Sequence, residues 1–121
     1  HIVRFLTVSL ALLAGRAHAA TIPPPPAALV ATAASSSAID LTWTAAGRSE
    51  IGYAVERSPS AGGTFARVAT TGYSTTSYHN TGLAGGTTYY YRVRTIGRDG
   101  TSGPSVVASA TTPGVAMTTT R

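Results

Sequence analysis

The sequence contains no cysteine and no lysine, and it has few acidic residues. Without cysteine the chain cannot build a disulfide framework or a thiolate metal site, so any fold must rest on its hydrophobic core. All nine basic residues are arginines, and four carboxylates accompany them. Arginine in place of lysine, with abundant alanine, indicates a coding bias in the source; selection for bidentate recognition of anions is the alternative.

The chain also has little of the chemistry that catalysis needs. A hydrolase requires paired carboxylates, or a nucleophile with a base, held in one concave site. Beyond residue 19 the single histidine is His79, and no second histidine or suitably spaced acid accompanies it as a metal ligand. Ser58, Ser60 and Ser77 lack the glycine-flanked context of a nucleophile. We therefore expect no enzyme activity, no cofactor and no bound metal.

The net charge is modest and scattered along the chain. Its formal value is +5, but Arg4 and Arg16 lie in a segment that we expect to be removed. The seven arginines that then remain, against four carboxylates, give about +3. A nucleic-acid-binding domain needs a stronger and more clustered positive charge, so we expect no nucleic-acid partner.

The only long apolar run stands at the extreme N terminus, and it is shorter than the about 20 residues that span a bilayer. It follows Arg4 and ends near the small-x-small triplet Ala17-His18-Ala19, an arrangement typical of a secretory signal peptide. We expect residues 1–19 to be removed on export, which gives a secreted, extracellular protein without a stable membrane span. An apolar helix packed on the domain is the alternative.

The segments on either side of the domain differ from it in composition. Residues 20–26 include four successive prolines, which favour an extended polyproline II conformation. We expect a stiff spacer there, and docking on an aromatic groove of a partner is the alternative. Residues 113–121 show no hydrophobic period and are expected to form a flexible tail or linker. Residues 27–112 are left for a single domain.

Residues 27–112 show the alternation of apolar and polar residues that is typical of β-strands, with turns rich in glycine and serine. In one run Ile39, Leu41 and Trp43 alternate with polar residues, which directs the single tryptophan into the core. No helical period interrupts the domain. Predicted strands contain Leu29, Leu41, Val55, residues 65–69, Tyr78, residues 89–95 and residues 106–112. Seven short strands predict an all-β, immunoglobulin-like sandwich.

The run from Thr76 to Arg94 resembles the fifth and sixth strands of fibronectin type III domains. The alternating residues 39–43 and 53–58 match the same family in order and spacing, so the resemblance covers about residues 26–112. It implies a tyrosine corner at Tyr89, six residues after Leu83, with a buried ring whose hydroxyl bonds a backbone group upstream. Two departures are Gly85-Gly86, where the family often has proline then glycine, and Thr95, where it usually has alanine.

This form of the motif resembles modules attached to secreted bacterial enzymes that degrade polysaccharides. The resemblance implies a non-catalytic accessory or spacer module, fused to a catalytic domain in a longer reading frame or belonging to a cell-surface protein. The alternative is a free-standing module that binds a polysaccharide or a cell-surface protein through its exposed sheet.

Candidate binding residues come from the alternation in the sixth predicted strand, which turns Tyr90, Arg92 and Arg94 outward. A tyrosine beside two arginines can stack on a sugar ring and donate hydrogen bonds to hydroxyls or carboxylates. The other interpretation is a solvated face on which Arg92 pairs with Glu56 on the neighbouring third strand.

The predicted signal peptide can be tested by the intact mass of the secreted product. If residues 1–19 are removed, the mature chain begins at Ala20. A mature protein that still contains residues 5–13 would contradict the prediction and favour the packed helix.

Overall fold

The computed structural model of the chain describes residues 21–47 and 50–115. The predicted signal peptide, residues 1–19, lies outside the described residues, and so do residues 116–121 of the predicted tail. Every regular element in the two described ranges is a β-strand. None of the described segments forms a helix with the length and apolar character needed to cross a membrane.

Two antiparallel sheets pack face to face and form a sandwich. The first sheet has the order β1-β2-β5, and the second has the order β4-β3-β6-β7, with β8 also paired to β6. The strands are β1 Ala27–Ser35, β2 Ala38–Thr44, β3 Glu50–Ser58, β4 Ala66–Gly72, β5 Ser77–Asn80, β6 Thr88–Gly97, β7 Gly100–Thr101 and β8 Ala108–Thr111. The predicted all-β sandwich is confirmed. The eighth strand is the two-residue β7, which continues a tight hairpin from the end of β6.

The core lies between the inward faces of the two sheets. Trp43 on β2 is 4% exposed, and its ring meets Tyr53 of β3 edge to face, with 5.5 Å between ring centroids. The buried core residues are Ile39, Leu41, Trp43, Tyr53, Val55, Leu83, Tyr91 and Val93. Seven of these eight residues come from alternate positions of β2, β3 and β6, because successive side chains of a strand point to opposite faces. The eighth, Leu83, lies between β5 and β6.

Tyr89 makes the backbone hydrogen bond that the family resemblance implies. The backbone N–H of Ala84 donates to the Tyr89 hydroxyl oxygen over 2.9 Å. The ring packs against the core but is only partly buried, and the guanidinium carbon of Arg57 lies 5.2 Å from its centroid. The corner is therefore present with a partly exposed ring, where the sequence predicted a buried one.

The last strand, β8, begins at Ala108, two residues later than predicted. Before it, serine side chains take the place of some of the backbone hydrogen bonds that would pair a strand with β6. The hydroxyl oxygens of Ser102 and Ser105 accept from the backbone N–H groups of Thr95 and Val93, over 2.8 and 2.9 Å. The backbone N–H groups of the same serines donate to the carbonyls of Thr95 and Val93. Pro104 lies between the serines and has no N–H to offer a ladder.

The described part of the predicted proline-rich spacer, residues 21–26, contacts the domain. Pro23 and Pro26 are buried. A Cβ atom on Gly97 would lie 2.6 Å from the Cδ atom of Pro23, and one on Gly47 would lie 2.9 Å from the Cδ atom of Pro24. Glycine at these two positions leaves the space that the proline rings occupy.

The segment that leaves the domain, residues 113–115, also packs against glycines of the domain. The N–H of Gly86 donates to the carbonyl oxygen of Pro113 over 3.0 Å. A Cβ atom on Gly85 would lie 3.1 Å from the Cγ2 atom of Val115 and 3.2 Å from the Pro113 oxygen. Gly86 has a φ of 61°, which glycine adopts without strain. The first residues of the predicted tail therefore pack on the Gly85-Gly86 turn.

We predict that Thr95→Val stabilises the domain. Thr95 is 2% exposed, and its Oγ1 atom is buried without a hydrogen-bond partner among the described residues. Valine has nearly the same shape and removes the uncompensated hydroxyl, so the free energy of unfolding should rise by about 1 kcal/mol. Denaturant titration measures this change as a higher midpoint at constant slope.

Thr112→Val is the matched control, because Thr112 is equally buried but its Oγ1 atom donates to the Ala84 carbonyl over 2.6 Å. This variant should lose stability. A lower midpoint for Thr95→Val would show that its hydroxyl has a partner after all.

Candidate functional site

The candidate site is the outward face of the sheet formed by β4, β3, β6 and β8. Alternate residues of β6 point to opposite sides, so Tyr91 and Val93 enter the core while Tyr90, Arg92 and Arg94 lie on the outer surface. The three outer side chains are partly buried rather than fully exposed. The structure therefore brings the three predicted residues together on one face.

A row of alternating charges crosses the middle of this face. Glu56 on β3 lies between Arg67 on β4 and Arg92 on β6. The Nε atoms of Arg92 and Arg94 donate to the Oε1 and Oε2 atoms of Glu56, over 2.6 and 3.0 Å. The Arg92–Glu56 ion pair of the alternative interpretation is thus present, and the same carboxylate also holds Arg94.

Arg92 and Arg94 each make a second contact besides the one with Glu56. The guanidinium carbon of Arg92 lies 4.3 Å from the ring centroid of Phe65, close enough for a cation–π contact. The Nη1 atom of Arg94 donates to the carbonyl oxygen of Ser102 over 3.2 Å. Ala54, opposite Arg94 on β3, is fully buried although it faces outward, because neighbouring long side chains cover it.

Tyr90 lies in the next row of the same face. It is paired with Ser58 on β3 and with Ser109 on β8, and Thr88 and Thr111 follow in the row beyond, with their hydroxyl oxygens 2.7 Å apart. The face therefore presents one aromatic ring, two held guanidinium groups and several hydroxyls.

His79 lies on the other sheet, away from these residues. It is paired with Asp40 across β5 and β2, and its Nδ1 atom forms a hydrogen bond with the Oδ1 atom of Asp40. The pair borders a shallow hollow of about 270 Å³. No cluster of three or more histidine, aspartate or glutamate side chains that could hold a metal occurs within residues 21–47 and 50–115.

A buried polar cluster closes one end of the core. The Oδ1 atom of Asn80 accepts hydrogen bonds from the Tyr91 hydroxyl and from Arg57 Nη1, over 2.7 and 3.0 Å. Burial raises the pKa of Tyr91 to about 12, against the opposing effect of the Arg57 charge. The cluster satisfies buried polar atoms, so its role is structural.

The comparisons with known proteins agree with this architecture. The sequence model of the fibronectin type III domain matches residues 24–111. The chain belongs to the fibronectin type III family. The predicted family is thereby confirmed, and fibronectin type III domains are typically non-catalytic modules. No curated protein sequence matches the chain.

Solved fibronectin type III structures match most of the chain. A Fn3-like protein from Clostridium thermocellum is 32% identical with a TM-score of 0.67, over 80% of this chain and 100% of that one. A fibronectin type III domain of human collagen XX is 32% identical with a TM-score of 0.63, over 79% and 99% of the two chains. Domains A168–A170 of titin are 28% identical with a TM-score of 0.68, over 76% of this chain.

The chain spans 32% of that titin structure and 18% of a structure of titin kinase with its flanking domains. Each of these similarities concerns one part of a longer protein.

The raised pKa of Tyr91 predicts a loss of stability in alkali. Its pKa is about 12 in the folded domain and about 10 in an unfolded chain. Below pH 10 both states keep the proton, so the stability is fully present. Between pH 10 and 12 the unfolded state releases the proton first, and the free energy of unfolding falls by about 2–3 kcal/mol.

Denaturant midpoints between pH 8 and 12 measure this fall. Tyr91→Phe should flatten it, although burial also raises the pKa of Tyr53, which leaves a residual slope. If the denaturant midpoint of Tyr91→Phe falls with pH as steeply as that of the parent, the loss of stability in alkali is not due to Tyr91. The stability of the Tyr91→Phe variant at pH 7 separately reports the loss of the hydrogen bond to Asn80.

Proposed function

We propose that this domain is a secreted, non-catalytic spacer module in a longer bacterial protein, joined to a polysaccharide-degrading enzyme or a cell-surface protein. The observation that carries the proposal is that the chain is held on the domain both where it enters and where it leaves. A module with fixed entry and exit directions sets the distance and orientation of its neighbours.

The entering segment is held at the hairpin between β6 and β7. Pro23 packs on Gly97, the last residue of β6, and Ile22 lies 3.3 Å from the position of a Cβ atom on Gly100. The backbone N–H of Thr21 donates to the Oδ2 atom of Asp99 over 3.2 Å. These contacts give the chain a defined direction as it enters the domain.

The leaving segment is held near the start of β6. Thr112 donates its N–H to the Thr87 carbonyl over 3.0 Å, and its hydroxyl bonds Ala84. Strand β6 has ten residues, so its end residues are about 30 Å apart. The two attachment points therefore lie at opposite ends of the domain, as a spacer requires.

Secretion and bacterial origin have separate support. The N-terminal signal pattern supports export, and the similarity to a Fn3-like protein from Clostridium thermocellum supports a bacterial context. A reading frame that continues into an enzyme domain beyond Arg121 would favour the spacer, and a stop codon there would favour a free-standing binding module.

The spacer role predicts a narrow distance between the two ends. Because the chain has no cysteine, Thr21→Cys with Gly114→Cys allows specific spin labelling at both attachment points. A Cβ atom on Gly114 meets no other atom within 4 Å, so the label there leaves the contact of Val115 with Gly85 in place. Pulsed electron paramagnetic resonance should give one narrow distance distribution. Gly85→Val or Gly97→Val should broaden it, because the added side chain displaces a flanking segment.

Gly103→Ala is the control, since a Cβ atom there meets no other atom within 4 Å; its distribution should match that of the parent. A broad distribution in the parent would mean that the flanks move freely, and it would refute a spacer that fixes orientation.

A further inference from the structure

We propose that the outward face carrying Arg67, Arg92, Arg94 and Tyr90 binds the carboxylate groups of an acidic polysaccharide. We call these four residues the arginine face. The choice of ligand rests on the proposed function, because a secreted module beside a polysaccharide-degrading enzyme meets such polymers. Its physical basis is the charge and geometry of the face itself.

The arginine face has an excess of positive charge. Three guanidinium groups, one on β4 and two on β6, share this face with one carboxylate, that of Glu56 on β3. The other described carboxylates lie elsewhere: Asp40 is on the other sheet, Glu50 begins β3, and Asp99 is in the β6–β7 hairpin. The face therefore keeps a net charge of about +2, which attracts an anionic polymer.

The guanidinium group of Arg92 is fixed in an orientation suited to a carboxylate. Its Nε atom bonds Glu56, its guanidinium carbon lies over the Phe65 ring, and the side chain remains 25% exposed. The two terminal N–H groups of a guanidinium match the two oxygens of a carboxylate. A side chain that is already held loses little further entropy when it binds.

The spacing of the face fits an extended chain of sugars. Arg92 and Arg94 are two residues apart on one strand, which separates them by about 7 Å. Arg67 and Arg92 stand on either side of β3, about 10 Å apart across the sheet. Tyr90 precedes Arg92 on the same face and offers a ring on which a sugar can stack. One acidic polysaccharide chain can therefore contact an aromatic ring and more than one guanidinium group.

Titration calorimetry with oligogalacturonate tests the proposal, and its methyl ester is the neutral comparison. The acid should bind at low salt and more weakly as salt rises, and the ester should give no binding. Arg92→Gln and Arg67→Gln should each weaken the association by about tenfold, through loss of a charge-assisted hydrogen bond. Arg67 is exposed, and its side-chain hydrogen bond is a long one, 3.5 Å from its Nη1 atom to the Oγ1 atom of Thr70, so its replacement leaves the fold intact.

Arg98→Gln is the matched control, because it removes the same charge from an exposed position in the β6–β7 hairpin, and it should bind within about twofold of the parent. Absence of binding, equal binding of the ester, or an equal loss in Arg98→Gln would each overturn the proposal. Equally tight binding of single-stranded DNA of the same charge would also overturn it, by showing general attraction of anions. A narrow distance between the labelled ends would leave the spacer role standing in any of these cases.

Discussion

The register of strand β6 is the constraint on which the rest of the structure depends. Its alternation sends Tyr91, Val93 and Thr95 into the core and leaves Arg92 and Arg94 on the outer face. A slip by one residue would exchange these two sets. It would bury guanidinium groups away from Glu56, and the burial of unpaired charges is strongly unfavourable. The register of β6 therefore determines both which of its residues form the core and which form the arginine face.

Side chains on both sides of the strand hold this register. Ser102 and Ser105 accept hydrogen bonds from successive inward positions of β6, and they can do so only when Thr95 and Val93 stand opposite them. On the core side the Tyr91 hydroxyl reaches Asn80. Because each of these groups is buried, a shifted strand would leave several polar atoms without partners.

The strands and the sandwich could be predicted because they depend on local alternation, and the family resemblance added the corner at Tyr89. The Arg92–Glu56 pair of the candidate site could be predicted as one of two interpretations, because the two residues lie on neighbouring strands. The other contacts of the site could not be predicted, because they join residues that are distant in the sequence. Glu56 and Arg94 are 38 positions apart, and Phe65, which the sequence placed in the fourth predicted strand, lies one residue before β4. Asparagine is a common turn residue, so nothing in the sequence indicated that the Asn80 side chain is buried.

The Gly85-Gly86 pair shows why a departure from the family pattern needs the structure for its explanation. Glycine stands there in place of a proline that would stiffen the backbone, so the sequence alone offers no reason for the departure. In the structure the space beside Gly85 is filled by residues 113 and 115, so the missing side chain makes room for the chain as it leaves the domain. Gly97 does the same for Pro23 at the other end. The described flanking residues, 21–26 and 113–115, are held at the ends of the sandwich, so the proposed binding of a polymer along the side of the module is compatible with its proposed role in separating its neighbours.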